Sequence, residues 1–195
     1  MNLIKQALNT LKNKWQICLA IGALAVLIMT ATYYIPIIGG AFIAIEVFIF
    51  HQLLQKFVLH SKTFQTAKHL PAVIVIGVLF FPSLLLMGSG DTLVLNRYSP
   101  SSLPSAFIIY ILVSMIFFFL ATALELRIQK NMNLVKALDA SALKLFRNLK
   151  NLFLLSFYSA GLLLLSKLTW GVGYVLALPL ISLAAHTFFA QDTNE

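Results

Sequence analysis

The chain has 195 residues, of which 60% are hydrophobic and 10% charged, and its formal net charge is +8. A soluble domain carries about 25% charged residues to cover its surface, so this composition excludes an ordinary aqueous domain and requires hydrocarbon as the outer solvent. The positive charge invites a nucleic-acid partner, but the basic residues sit at the ends of apolar runs, where they meet lipid headgroups instead.

In chain order, Leu3, Ile4, Ala7, Leu8 and Leu11 recur at helical spacing, with Lys5, Lys12 and Lys14 off that stripe. This predicts an interfacial amphipathic helix over 1–14, apolar face down and lysines toward anionic lipid. Trp15 to Gln55 is 41 residues with one charge, Glu46. A span takes about 20 residues, so two helices are expected, at 16–35 and 41–59, turning at Pro36-Ile37-Ile38-Gly39-Gly40. No small-x-small cleavage site closes the first run; Thr30-Ala31-Thr32 leads into two tyrosines and a proline, so the run reads as a retained span. Cys18, the single cysteine, excludes an intramolecular disulfide and a thiolate zinc cluster, and reads as a small buried hydrophobe.

His69 to Gly90 contains no Asp, Glu, Lys or Arg and gives a third span, 70–88, with Pro82 expected to kink it. Gly88-Ser89-Gly90-Asp91 lacks the lysine and the flanking strand of a phosphate loop, and reads as the start of the longest outer loop. Tyr98 to Leu124 supplies a fourth span, 104–124. Leu134, Val135, Leu138, Ala142, Leu145, Leu149 and Leu152 then form a second helical stripe among Lys136, Asp139, Lys144, Arg147 and Lys150. It predicts a second interfacial helix, 130–150; a basic helix of this kind can also bind a partner protein. Asn151 to Gln191 is again 41 residues with one charge, Lys167, broken at Trp170-Gly171-Val172-Gly173. The last spans are therefore 151–168 and 171–190, the latter holding Pro179.

The fold expected is an all-α membrane protein, a single membrane domain over 1–195 with six transmembrane helices and two interfacial helices. With a cytoplasmic N-terminus, twelve basic residues fall inside and two, Arg97 and Lys167, outside. That asymmetry predicts a multi-pass protein of the bacterial inner membrane with both termini cytoplasmic. Trp15 lies at the inner boundary, and Tyr33, Tyr34, Trp170 and Tyr174 at the outer one. An internal repeat is also visible: Asn2-Leu3-Ile4-Lys5-Gln6-Ala7-Leu8 parallels Asn133-Leu134-Val135-Lys136-Ala137-Leu138, each followed by Leu-Lys-Asn and a 41-residue hairpin. The copies run in the same direction, a parallel duplication.

Ala142-Leu143-Lys144-Leu145-Phe146-Arg147-Asn148-Leu149-Lys150-Asn151 and Gly171-Val172-Gly173-Tyr174-Val175-Leu176-Ala177-Leu178-Pro179-Leu180 carry a resemblance. Over 142–191 the chain resembles a group of uncharacterised small polytopic bacterial inner-membrane proteins, in which a basic amphipathic helix leads into a Gly-turn hairpin with a proline in the last span. The resemblance implies that fold and carries no activity with it.

Glu46 lies about 9 Å inside the second span, six residues from the turn at 1.5 Å each. A carboxylate there costs about 2–3 kcal/mol, so it should face the bundle and be protonated or paired. It reads either as a proton or cation site, with Lys167 or Arg97 as counter-charge, or as a packing group bonded to Tyr110 or Ser114. His51 lies about 140° around the helix from Glu46, whereas His51 and Gln55, four apart, share a face. His186 occupies a similar depth in the last span. Glu46, His51 and His186 are thus the candidate proton or ion site; no catalytic constellation, metal-ligand set or cofactor motif is nominated. Lys5, Lys12, Lys14, Lys136, Lys144, Arg147 and Lys150 are the expected lipid-headgroup contacts. The function expected is structural or accessory, as a scaffold or subunit of a membrane assembly, with a membrane protein or further copies of the chain as partner and no nucleic acid. A small-solute or ion transporter using Glu46, His51 and His186 is the second reading, and a membrane-embedded lipid enzyme the third.

Overall fold

The computed structural model describes residues 2–33, 39–58, 66–95, 102–169 and 172–190. Among them are eight helices and no strand: α1 (Asn2–Asn13), α2 (Trp15–Tyr33), α3 (Gly39–Val58), α4 (Thr66–Leu95), α5 (Ser102–Gln129), α6 (Leu134–Arg147), α7 (Leu149–Leu168) and α8 (Tyr174–Ala190). Three are long and apolar enough to cross a membrane, over His69–Val94, Ser102–Gln129 and Leu149–Leu168. α2 passes only together with α1, from which it bends by 97°, and α8 is apolar but short. Helix length thus qualifies three spans among the described residues, or four with the bent pair, where six were expected. The turn at Pro36-Ile37-Ile38, the aromatic Tyr34 and Trp170, and Arg97 lie outside the described residues.

Six helices close a ring in the order α2, α3, α4, α5, α7, α8 and back to α2, with α8 also reaching across to α3 and α5. The outside of the ring is apolar: Leu27 is 67% exposed, and Leu85, Ile108 and Leu165 are similarly bare. Large aliphatic side chains turned outward on four helices suit hydrocarbon as solvent, not water. Inside, Phe48, Phe80 and Phe117 meet with ring centroids 5.5 to 6.0 Å apart and lock α3, α4 and α5 together.

Two local features set the spacing of the ring. Pro179 has no N–H, so the carbonyl of Val175 one turn earlier loses its helical donor. Gly22 of α2 fills that place; a Cβ there would lie 2.0 Å from the Val175 oxygen. At the other wall, α4 does not end at residue 88. It runs on to Leu95, so Gly88-Ser89-Gly90-Asp91 is helical and not the start of a loop. Glycines are tolerated in helices that lipid and neighbours support, and Gly90 lets the Tyr110 ring lie close, 3.0 Å from where a Cβ would be.

α6 also differs from expectation. Asn131 takes a left-handed conformation (φ 50°), which asparagine accepts readily, and the chain folds back so that α6 lies along α5. Its buried face is Ala137, Ser141 and Leu145; of the predicted stripe Leu145 is buried, Leu134 and Leu138 are partly buried, and Val135 is exposed. Small residues win that face because helices in close contact need them. Ser141 Oγ donates to the Phe119 carbonyl at 2.7 Å. Lys144, expected at headgroups, donates instead to the Phe189 carbonyl near the end of α8 and lies 4.6 Å from the Phe189 ring centroid. Lys5, Lys12, Lys136, Arg147 and Lys150 are exposed and Lys14 half-buried.

Candidate functional site

The C-terminal ends of α3, α5 and α8 meet at the lysine-rich end of the ring. There Glu125 of α5 is 1% exposed, and three side chains approach its carboxylate. Gln55 Nε2 donates to Glu125 Oε1. His51 Nε2 lies 3.4 Å from the same oxygen, and His186 Nδ1 lies 3.4 Å from Oε2. His51 Nδ1 is 2.5 Å from Ser182 Oγ. The spacings are helical: His51 and Gln55 on α3, Ser182 and His186 on α8, each four apart, so two rungs form between the helices with Glu125 in the inner one.

The hydrogen-bond roles follow from donor inventory. An amide nitrogen only donates, so His51 Nε2, 2.9 Å from Gln55 Nε2, accepts. The neutral ring then carries its proton on Nδ1 and donates it to Ser182 Oγ. Ser182, His51 and Glu125 have the residue types of a nucleophile relay, but this tautomer gives the serine a proton and does not take one. Ser182 also sits in mid-helix, where backbone N–H groups are consumed and none is left to hold an oxyanion. Proton handling fits better. A carboxyl group holding a proton on Oε2 can release it to His186 as Oε1 accepts one from protonated His51. Among the described residues, no group of three or more His, Cys, Asp or Glu is placed to hold a metal ion; the imidazoles approach opposite oxygens of one carboxylate.

A cavity of about 670 Å³ occupies the ring and ends on this cluster. His51 and Ser182 form part of its wall, as do Phe80, Phe117, Ile21 and Leu178, and most of the lining is apolar. On α3 it runs from Ile43 to Leu54, about 16 Å at 1.5 Å per residue. Its far end is marked by Asp91, Lys167 and Tyr174. Asp91 Oδ1 accepts from Tyr110 Oη at 2.6 Å, and Asp91 Oδ2 pairs with Lys167 Nζ at 2.8 Å. Both partners of that ion pair are about one-quarter exposed, so the pair is a modest contributor to stability. On the other side of the cluster His186 is 20% exposed, one turn from the end of α8.

Of the sequence candidates, His51 and His186 come together on one carboxylate, but that carboxylate is Glu125. Glu46 is half-buried on α3 and absent from both the cluster and the cavity wall. Two of the partners expected for it, Tyr110 and Lys167, both serve Asp91. Glu125 escapes sequence reasoning because it closes a charge-free run and precedes Arg127 and Lys130, the usual place of an interfacial charge. The signal that marks it is the continuation of large apolar residues past it, at Leu126 and Ile128. Comparison with family models, with curated proteins and with solved structures finds no match to this chain.

Proposed function

We propose that this chain is a six-span carrier of the bacterial inner membrane that moves a small, largely apolar solute and exchanges protons with it through Ser182, His51, Glu125 and His186. The observation that carries the reading is continuity: a cavity with Asp91, Lys167 and Tyr174 at one end ends on His51 and Ser182 at the other, and Glu125 connects these to the partly exposed His186. An intramembrane ionisable group is costly and is kept facing a bundle interior or cavity where it is used. The lysine-rich end is assigned to the cytoplasm by the twelve-to-two distribution of basic residues, with α1 and α6 at the interface and Lys5, Lys12, Lys14, Lys136, Arg147 and Lys150 toward anionic lipid. Asp91 and Lys167 then mark the outer mouth.

The scaffold reading is favoured by one observation, the complete enclosure of Glu125: a carboxylate on α5 gripped from α3 and α8 also staples the three helices. The two readings part on a conservative change. In proteoliposomes with a trapped pH dye, an imposed outside acidity should collapse faster with the wild-type protein than with Glu125→Gln. Equal rates at equal folded protein would leave the scaffold.

A further inference from the structure

The two ends of the cavity are chemically unlike, and the outer end has unspent hydrogen-bond donors. Ser114 is 3% exposed and lines the cavity, and among the described residues no partner satisfies its hydroxyl. Tyr174 also lines the cavity, and its buried hydroxyl is equally unsatisfied among the described residues. Buried hydroxyls of this kind cost free energy unless something occupies them. Beside them, each oxygen of Asp91 is engaged, Oδ1 by Tyr110 and Oδ2 by Lys167, and Asp91 takes only one of the three N–H groups an ammonium carries. What is missing at this end is therefore acceptors, not donors. Toward His51 the wall is formed by Phe80, Phe117, Val47 and Leu54 and offers a long side only hydrocarbon contacts.

We infer that the cavity takes a single-chain amphiphile with a carboxylate head, the head held by Tyr174 Oη, Ser114 Oγ and Lys167 Nζ at the outer end and the chain running toward His51. The inference rests on the carrier reading above and names its substrate class. Charge agrees with it: Asp91 and Lys167 cancel, so an incoming carboxylate meets a neutral, donor-rich mouth, while a quaternary ammonium finds nothing to bond. The volume also fits, since ligand sites of about 300–1,000 Å³ enclose molecules of this size. A carboxylate is moreover a group that must gain a proton to cross hydrocarbon cheaply, which gives the His51–Glu125–His186 path a purpose.

The test uses the full chain in lipid nanodiscs and a dodecanoate bearing a photoactivatable diazirine at its methyl end, with cross-linked peptides read by mass spectrometry. Labels are expected on the α4 and α5 segments around Phe80 and Phe117. Unlabelled dodecanoate should compete best, methyl dodecanoate about tenfold less well for want of the charge-assisted bond, and dodecyltrimethylammonium least. Tyr174→Phe removes a hydroxyl that no partner uses, so it should leave thermal stability unchanged and weaken competition by dodecanoate about tenfold; Ser114→Ala should act in the same direction. Equal competition by the ammonium, labelling confined to the outer surface of the ring, or indifference to both substitutions would overturn the inference. Glu125→Gln lies at the opposite end and should leave labelling intact. If labelling fails while proton flux still depends on Glu125, the ligand assignment falls alone; if labelling follows Tyr174 while flux ignores Glu125, the proton path falls alone.

Discussion

Replacing Glu125 separates what its charge does from what its shape does. In Glu125→Gln the side-chain oxygen can still accept from Gln55 Nε2 and the new amide can face His186 Nδ1, which accepts when unprotonated. The three helices stay joined, so the change in stability should be within about 1 kcal/mol. Glu125→Ala removes the acceptor of Gln55, leaves His51 and His186 facing a void, and truncates a side chain that is fully enclosed. An unsatisfied buried donor costs about 1–3 kcal/mol, and the void adds to it; membrane proteins recover part of this through alternative partners. A loss of about 3 kcal/mol is therefore expected, roughly a hundredfold in the folded-to-unfolded ratio. Reversible unfolding by titrated SDS in bicelles, followed by tryptophan fluorescence, measures both variants against wild type. If Glu125→Gln were as damaging as Glu125→Ala, the charge itself would be holding the fold; if Glu125→Ala were harmless, the described network would not exist.

Other perturbations probe the frame around the cavity. Gly22→Ala places a Cβ 2.0 Å from the Val175 oxygen, forces α2 away from α8, and should cost about 1–3 kcal/mol by the same unfolding assay. Ser141→Ala deletes the bond from α6 to the Phe119 carbonyl and should cost about 1 kcal/mol, seen as faster proteolysis near Asn131. Asp91→Asn weakens a partly exposed ion pair and should cost under about 1 kcal/mol, with a larger change in ligand competition than in unfolding midpoint. Cys18 is fully buried, so a maleimide should label it in SDS and leave it untouched in the native protein.

What was legible in the sequence is what a local pattern can carry. The two 41-residue hairpins are recognisable because a run with a single charge and twice the length of a span must turn, and α2–α3 and α7–α8 pack as such pairs. The shared face of His51 and Gln55 follows from a spacing of four. The meeting of His51, His186 and Glu125 does not, because it depends on which helices close the ring. Glu46 and Glu125 compete as candidates on depth alone, and depth favours Glu46, whereas the structure brings both histidines to Glu125: α5 runs to Gln129 and α6 folds back over it, so a residue at the apparent edge of the bilayer is enclosed. Asp91 was hidden for the opposite reason, since two glycines beside it suggest a loop in water but pass unremarked in a lipid-supported helix. The stripe on α6 misleads because close helix contact selects Ala137 and Ser141, which hydrophobicity patterns overlook.

The proposed carrier requires Glu125 to exchange a proton as the cavity fills. Infrared difference spectroscopy of the reconstituted protein, with and without dodecanoate, reports this at the carboxyl group itself. The prediction is a protonated-carboxyl C=O band that changes intensity on ligand addition, shifts in heavy water and is absent in Glu125→Gln while ligand binding persists. A wild-type spectrum whose carboxyl region is identical to that of Glu125→Gln would contradict the account and leave Glu125 as a packing group.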